Sequence, residues 1–432
     1  REKRQSRRAS LNEQMTAPAH PPIDHAAVRS LSERTLDWSH KGIPPAWWGR
    51  TGTQITASAP RLFEDDPFGP VCVLREAALD HNLTTMATWC RRHGVELAPH
   101  GKTDMSPQLA ARQLDAGAYA VTVATAGQAA VYRAFGVQRL ILANELVDAA
   151  ALRWTAAQLD ADPNLEFTCW VDSVRGVELM TAALRGATRP LDVCVELGLP
   201  GGRTGCRDRQ SVDEVARAVV ASPRLRLVGV AGYEAALGHE LTDAALAAVH
   251  HHLGALRAAA LRLRPLFETD TALVSAGGST YFDAVAAALT GWPAGSALRT
   301  VLRSGCYLTH DHGLYARTSP LTRDGSPGLR PALEMHAQVM SRPEPASAVL
   351  TMGRRDVAFD SGLPVPLDLA GAAVDRLNDQ HAYLTVRPGD PPDVGAWLRF
   401  GISHPCTVFD KWRVIPVLDD DDRVTDLIHT FF

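Results

Sequence analysis

Lysine is scarce in this sequence. Of its 44 Lys and Arg residues, only four are lysines: Lys3, Lys41, Lys102 and Lys411. An Arg-biased genome explains the composition as a whole, but it leaves few candidates for any reaction that needs an amine nucleophile. The net charge of −4 argues against a protein held on nucleic acid by phosphate contacts, because such proteins carry a basic surface.

Long apolar runs and paired cysteines are also missing. No run approaches the ~18 residues that cross a bilayer, which excludes an integral membrane protein. Residues 1–25 are polar, basic and then Pro-rich, without the apolar core of a signal peptide, and are expected to form a disordered tail. The seven cysteines include no CxxC pair, which is typical of reduced thiols in a cytoplasmic protein.

Short β-rich runs alternate with helical stretches from about Pro70 onward. The runs lie between residues 71 and 307, beginning with VCVLR at 71–75. Eight or nine strands alternating with helices are typical of a (β/α)8 barrel. A doubly wound sheet is the competing architecture, but no GxGxxG follows the first strand. We therefore predict an α/β fold with a TIM-like barrel over residues 66–312.

The pattern changes after the predicted barrel. Helical periodicity fades, Pro and Gly increase, and short strand-like runs such as ALEMHAQVMS and WRVIPVLD appear. This predicts a C-terminal all-β domain over residues 313–432. The preceding segment, residues 26–65, is expected to pack on that domain.

Functional groups of a barrel gather at the C-terminal ends of its strands. The second run ends in His100-Gly101-Lys102-Thr103, and Lys102 is the only lysine of the predicted barrel. A lysine directly after a buried strand is unfavourable unless it is paired or used. The alternative is a surface lysine whose ammonium group reaches solvent.

Gly-rich turns follow several later strands. Arg203 lies in one of them, where it could meet an anion, and Tyr233 ends the seventh run. The turns at 276–280 and 303–307 follow the last two runs, which is the usual phosphate position in barrels. Backbone N–H groups at such turns bind phosphate. A strand-end lysine facing a phosphate site suggests pyridoxal phosphate (PLP).

The predicted β-domain carries a possible metal pair. His404 and Cys406 are two positions apart, so on an extended segment they point to the same side. Nitrogen and sulfur ligands suit zinc. A site with so few protein ligands would be catalytic, with room for substrate or water. A buried structural pair is the alternative.

As a set, these motifs resemble one enzyme family. The chain resembles the fold-type III PLP enzymes of the D-serine dehydratase and D-threonine aldolase group, which are related to the alanine racemase barrel. The resemblance covers about residues 65–412 and rests on motifs in family order: HGKT-x-x-SP at 100–107, GAYAVTVAT at 117–125, LILANE at 140–145, the Arg203-Thr-Gly turn, Gly-Tyr233-x(5)-His239, AGGST at 276–280, SGCYLTHDHG at 304–313 and His404-x-Cys406.

The resemblance implies roles for these residues. Lys102 would hold PLP covalently and act as catalytic base, and Arg203 would lie near the phenolate oxygen of the PLP ring. Tyr233 would be a second catalytic residue, near the phosphate or the substrate. It also implies a homodimer. The phosphate would be held chiefly by backbone N–H groups of Gly277, Gly278, Ser279, Gly305 and Cys306.

The identity of the two metal-binding residues distinguishes between the family's two reactions. Dehydratase-type members of the family bind zinc through His and Cys, whereas the aldolases bind a harder divalent ion through His and Asp, so Cys406 favours zinc. We therefore expect β-elimination of a D-serine-like 3-hydroxy-D-amino acid to a 2-oxo acid and ammonia. Metal-dependent retro-aldol cleavage is the alternative, and a non-catalytic PLP-binding protein is a second one. His310, Asp311 and His312 fit either a supporting layer of the site or a turn.

Overall fold

The computed structural model describes residues 22–323, 328–387 and 392–432. Most of the predicted N-terminal tail therefore lies outside the described residues. The chain forms a parallel barrel and a second, mostly antiparallel sheet packed beside it. Within the described ranges, no helix combines the length and the hydropathy needed to span a bilayer.

The barrel is built from eight parallel strands of the described chain. Its strands are Glu96–Leu97 (β2), Val121–Val123 (β3), Arg139–Glu145 (β4), Glu166–Val171 (β5), Leu191–Leu197 (β6), Leu225–Gly232 (β7), Ala272–Ser275 (β8) and Leu298–Leu302 (β9). They are ordered β2-β9-β8-β7-β6-β5-β4-β3. A parallel bridge between His100 and Thr122 joins the two outer strands of this order. The sequence prediction of a TIM-like barrel is confirmed.

Helices surround the barrel and connect its strands. They are Glu76–His93, Pro107–Asp115, Ala126–Ala134, Ala149–Ala161, Val174–Ala183, Arg209–Ala221, Asp243–Leu263 and Phe282–Ala288. Most begin at a side chain that accepts a backbone N–H of the first turn, which stabilises the helix start. These capping residues are Ser106, Thr125, Asp148, Ser173, Asp208 and Thr242.

The second sheet contains a strand from the start of the chain. Val71–Arg75 (β1) pairs antiparallel with Leu333–Glu344 (β10) and parallel with Val414–Leu418 (β16). Reading VCVLR as the first barrel strand was therefore wrong. The segment is a central strand covered on both faces, and its first four residues are buried. A strand of that kind has the same continuous apolar pattern as a barrel strand.

The remaining strands of this sheet come from the C-terminal part of the chain, which confirms the predicted all-β domain there. They are Ser347–Leu350 (β11), Val365–Pro366 (β12), Ala373–Leu377 (β13), Ala382–Thr385 (β14), Trp397–Gly401 (β15) and Val424–His429 (β17). Short helices accompany the sheet at Leu314–Thr318, Pro320–Arg323 and Cys406–Phe409. The loop after β15 reaches the barrel, where His312 N–H donates to the Ile402 carbonyl at 2.8 Å.

The N-terminal segment covers the outer face of this sheet. It contains the helices His25–Arg29 and Gly52–Ser58. Leu36, Trp47 and Ile55 are fully buried in a cluster with β-sheet residues that include Val73 and Val414. Removing such side chains from water is the main stabilising contribution to this contact.

Candidate active site

A cavity of about 220 Å³ opens at the C-terminal ends of the barrel strands, beneath the loop after β15. All the site residues expected from the sequence line it: Lys102, Arg203, Tyr233, Gly277, Gly278, Ser279, Gly305, Cys306, His404 and Cys406. Its other lining residues are His100, Thr103, Ala143, His239, Arg303, Ser304 and Tyr315. The fold thus brings together groups that are as much as three hundred positions apart in the sequence.

Lys102 lies in a single 3-10 turn, Gly101–Thr103, just after β2. The turn is held by the Tyr132 hydroxyl, which donates to the Gly101 carbonyl at 2.8 Å. A side chain at position 101 would collide with that hydroxyl, which accounts for glycine before the lysine. Burial, followed by the nearby Lys102 charge, lowers the pKa of His100 well below its usual value, so this imidazole is neutral.

Arg203 and Tyr233 form one wall of the cavity. The Arg203 guanidinium lies over the Tyr233 ring, 4.5 Å from its centroid, a favourable cation–π arrangement. The turn that carries Arg203 is held by Arg207, which donates to the carbonyls of Thr204 and Gly205 at 2.8 and 2.6 Å. Arg203 is therefore presented to the cavity by a turn with its own internal support.

The turn after β8 differs from its sequence prediction. The N–H groups of Gly277 and Gly278 donate to the two carboxylate oxygens of Glu234, at 2.9 and 2.7 Å. They are therefore engaged within the protein and do not face a phosphate. Glu234 is buried after β7, and sequence reasoning missed it. The available signal was an acidic residue directly after Tyr233, at the end of an apolar strand.

Three of the backbone donors expected at the phosphate are not engaged by the part of the chain that the structure describes. Within the described ranges, the N–H groups of Ser279, Gly305 and Cys306 have no protein acceptor. A Cβ atom at Gly305 would lie 2.6 Å from the His100 carbonyl oxygen, so only glycine allows this approach. Free backbone donors at two neighbouring turns suit a phosphate group, and the cavity therefore fits PLP.

His404 and Cys406 meet at the cavity wall, next to the turn that carries Cys306. The sequence interpretation placed these two residues on an extended segment, and this was wrong. His404 has φ +66°, and Cys406 starts a short helix. The His404 Nδ1 atom lies 2.6 Å from Asp360 Oδ2. Although burial opposes it, the Cys406 thiol and then Asp360 raise the pKa of His404 to about 9.

The donor chemistry of this pair fits zinc. Asp360 occupies Nδ1 of His404, which leaves Nε2 as the metal-binding nitrogen beside the Cys406 sulfur. In the part of the chain that the structure describes, no group of three or more His, Cys, Asp or Glu side chains is arranged around a metal position. The site thus offers two protein ligands, with the rest of a coordination sphere left to substrate and water. Sequence reasoning missed Asp360 because it lies more than forty positions before its partner.

The structure assigns Asp311 a supporting position. Its buried carboxylate accepts backbone N–H groups from Gly313, Tyr315, Ala316 and His404. Tyr315, which sequence reasoning also missed, is thereby held at the cavity wall between His239 and His404, with ring centroids 6.2 and 6.4 Å away.

Its two histidine neighbours, His310 and His312, are outside the cavity lining. Both are largely buried, and burial lowers the pKa of each.

Two further carboxyl groups lie on the barrel strands but outside the cavity lining. Glu145 ends β4 and Glu196 lies in β6. Burial, and then the Glu196 carboxylate, raises the pKa of Glu145 to about 8. Burial and the neighbouring carboxylate thus favour the protonated form of Glu145.

Comparisons with known proteins identify the family of this chain. The profile of the "Alanine racemase, N-terminal domain" matches residues 74–288, and that of the "Putative serine dehydratase domain" matches residues 332–418. D-threonine aldolase from Arthrobacter sp is 30% identical over 358 residues, which cover 81% of this chain and 89% of that protein.

Solved structures show the same architecture. The D-threonine aldolase structure from Filomicrobium marinum superposes with a TM-score of 0.74 at 27% identity, covering 84% of this chain and 95% of that one. D-threo-3-hydroxyaspartate dehydratase from Delftia sp. HT23 has the same fold, with a TM-score of 0.69 at 22% identity over 84% and 97% of the two chains. The chain therefore belongs to the fold-type III family of PLP-dependent lyases that includes D-threonine aldolase and the D-serine dehydratase-like enzymes.

Proposed function

We propose that this enzyme is a PLP- and zinc-dependent dehydratase that converts a 3-hydroxy-D-amino acid to a 2-oxo acid and ammonia by β-elimination. The observation that carries the proposal is the contact between the two halves of the site. Thr103, directly after Lys102, places its Oγ1 atom 3.4 Å from the Cys406 sulfur. An amine and a thiol–imidazole pair thus face one small cavity.

The amine half of the site would remove the α-proton. Bound PLP supplies an electron sink for the charge left at the α-carbon. Lys102 is the only lysine that lines the cavity, and its Nζ atom would accept that proton. Arg203 contributes positive charge that attracts the anionic groups of cofactor and substrate. The N–H groups of Ser279, Gly305 and Cys306 would hold the phosphate.

The thiol–imidazole half would assist departure of the β-hydroxyl group. His404 and Cys406 would hold zinc, which would supply Lewis-acid chemistry at that oxygen. Asp360 holds the His404 ring through Nδ1 and is itself held by the Thr407 hydroxyl, which donates to it at 2.7 Å. Asp311 fixes the His404 backbone. The two carboxylates orient the imidazole and leave Cys406 free to face the cavity.

A retro-aldol cleavage is the second candidate, because the relative with 30% identity is named D-threonine aldolase. That reaction removes the β-hydroxyl proton instead of expelling the hydroxyl group. His239 lines the cavity, and its Nδ1 atom lies 2.6 Å from the Thr280 hydroxyl. Burial, followed by His404, lowers the pKa of His239. A neutral imidazole of this kind can accept a proton. We favour elimination because a thiolate ligand selects zinc over harder ions.

Substitution of the thiol tests the metal assignment. In Cys406→Ala, we expect loss of bound zinc and of ammonia release from D-serine, while PLP absorbance is retained. Cys90→Ala is the matched control, because Cys90 is a buried thiol on the helix Glu76–His93, and it should keep both zinc and activity. Unchanged zinc content in Cys406→Ala would refute the ligand assignment.

We also propose that the enzyme is a cytoplasmic homodimer, as its family resemblance implies. Two exposed aromatic side chains support an interface: Trp38 is 79% and Phe68 is 60% exposed, and large apolar groups in contact with water favour association. Light scattering on the purified protein should give twice the mass of one chain. A monomeric mass at working concentration would contradict the dimer.

A further inference from the structure

Two thiols are in contact at the wall of the cavity. The Cys306 sulfur lies 3.5 Å from the Cys406 sulfur, and Thr103 Oγ1 contacts both, at 3.9 and 3.4 Å. Cys306 follows the last barrel strand, whereas Cys406 follows a strand of the second sheet. The other five cysteines are buried, and among the described residues no other pair of thiols is hydrogen-bonded.

We propose that Cys306 and Cys406 are an oxidation site at which a peroxide forms a disulfide between the barrel and the second sheet. An S–S bond is about 2.05 Å long, so the sulfurs must approach each other by roughly 1.5 Å. Cys406 begins a helix of only four residues, and rotation of the two side chains would supply that movement. Both residues line the cavity, which gives a small oxidant access to them.

The reaction needs only a peroxide as oxidant. The Cys406 sulfur attacks one peroxide oxygen, which breaks the O–O bond, gives a sulfenic acid and releases one water. The Cys306 sulfur then attacks the oxidised sulfur, so that the S–S bond forms as the S–O bond breaks and a second water leaves. In total, two thiols lose two electrons and two protons, and one peroxide becomes two waters.

The disulfide would stop catalysis by either candidate reaction, so the proposal does not depend on which one the enzyme performs. The cross-link removes the Cys406 sulfur from the metal-binding pair and ties the turn at 303–307 to the loop that carries His404. Activity should fall in proportion to the fraction of cross-linked protein. A thiol reductant should restore it, because a disulfide is reversible, unlike a sulfinic or sulfonic acid.

Peptide mapping tests the proposal directly. Trypsin releases Cys306 in the peptide 304–317 and Cys406 in the peptide 400–411, and each peptide holds a single cysteine. The holoenzyme is treated with hydrogen peroxide, before and after removal of metal with EDTA, and then alkylated and digested. We expect a joined peptide that is two hydrogens lighter than the sum of the two, more of it after EDTA, and none after dithiothreitol.

Two variants control for other oxidation products. Cys306→Ser should give no joined peptide. Without a second thiol to trap its sulfenic acid, Cys406 in this variant should oxidise further to a sulfinic or sulfonic acid in excess peroxide, so its loss of activity, measured against its own untreated sample, should not be reversed by dithiothreitol. Cys90→Ala should form the cross-link as the unchanged protein does. Recovery of peptides 304–317 and 400–411 only as separate species, with and without EDTA, would overturn the proposal. That outcome would say nothing about zinc content or product identity. The proposed function is therefore tested separately, by those two measurements.

Discussion

The Oδ2 atom of Asp311 accepts the backbone N–H of His404 at 2.9 Å. The Oδ1 atom of the same carboxylate accepts the N–H groups of Gly313, Tyr315 and Ala316 at 3.0, 2.9 and 3.1 Å. His404 has a left-handed backbone with φ +66°, which is unfavourable for a residue with a side chain and needs support from its surroundings. One buried carboxylate thus fixes two parts of the cavity wall.

Asp311→Asn should weaken both the fold and the site. An amide NH2 group would face N–H donors that now meet an oxygen, which should lower the free energy of unfolding by about 1–3 kcal/mol. Zinc content should fall as well, because His404 loses its support. Urea unfolding and metal analysis check these effects. Asp420→Asn, an exposed acid, should change neither, and an Asp311→Asn protein with normal zinc would contradict the positioning role.

Lys102→Ala should abolish activity. Loss of a positioned general base reduces turnover by about 10²–10⁴-fold, and loss of the covalent attachment should also remove the visible absorbance of lysine-bound PLP. Lys41→Arg serves as a control, because Lys41 pairs with Asp356 at 2.8 Å and lies outside the cavity lining. Retained turnover in Lys102→Ala, measured by ammonia release, would refute the role of the amine.

Asp360→Asn should weaken metal binding without unfolding the protein. Loss of a carboxylate that orients a metal-binding histidine lowers metal affinity or activity by about 10–100-fold. A zinc titration followed by activity measures the shift. Asp410→Asn is the matched control, since Asp410 is a nearby acid that contacts Lys411 and not His404. Equal zinc affinity in the two variants would argue against the role of Asp360.

Glu145→Gln should change how stability depends on pH. The pKa of Glu145 is raised from 4.5 to about 8 in the folded protein, by burial and by Glu196. Between these pH values the folded state binds more protons than the unfolded state, so this group makes stability fall as pH rises. Glu145→Gln should flatten that decline in urea unfolding between pH 5 and pH 8. Glu214→Gln, on an exposed helix surface, should keep it.

The short motifs of the barrel were readable from the sequence because each sits next to its strand. Lys102 lies five positions after the end of β2, and the Gly turns follow β8 and β9, so chain position alone places them at one end of the barrel. The barrel itself is predictable because its strands and helices alternate along the chain. His404 and Cys406 were found from their short spacing, although their local backbone is a turn and not a strand.

The site residues that sequence reasoning missed can be recognised only from contacts between residues that are far apart in the sequence. Asp360 meets His404, and Glu234 meets Gly277 and Gly278, only after the chain folds. Isolated acidic residues in loops are common, so Asp360 does not stand out in the sequence, and the only signal for Glu234 is its position directly after Tyr233 at the end of an apolar strand. Val71–Arg75 was assigned to the wrong sheet because an apolar strand covered on both faces does not show which sheet it joins.

Product analysis with D-threonine tests the central claim most directly. The purified enzyme is supplied with PLP and zinc, and the products are identified by mass spectrometry. The proposed β-elimination predicts 2-oxobutanoate and ammonia in equal amounts. Glycine and acetaldehyde instead would show a retro-aldol cleavage and would contradict the interpretation of Cys406 as the ligand that directs elimination.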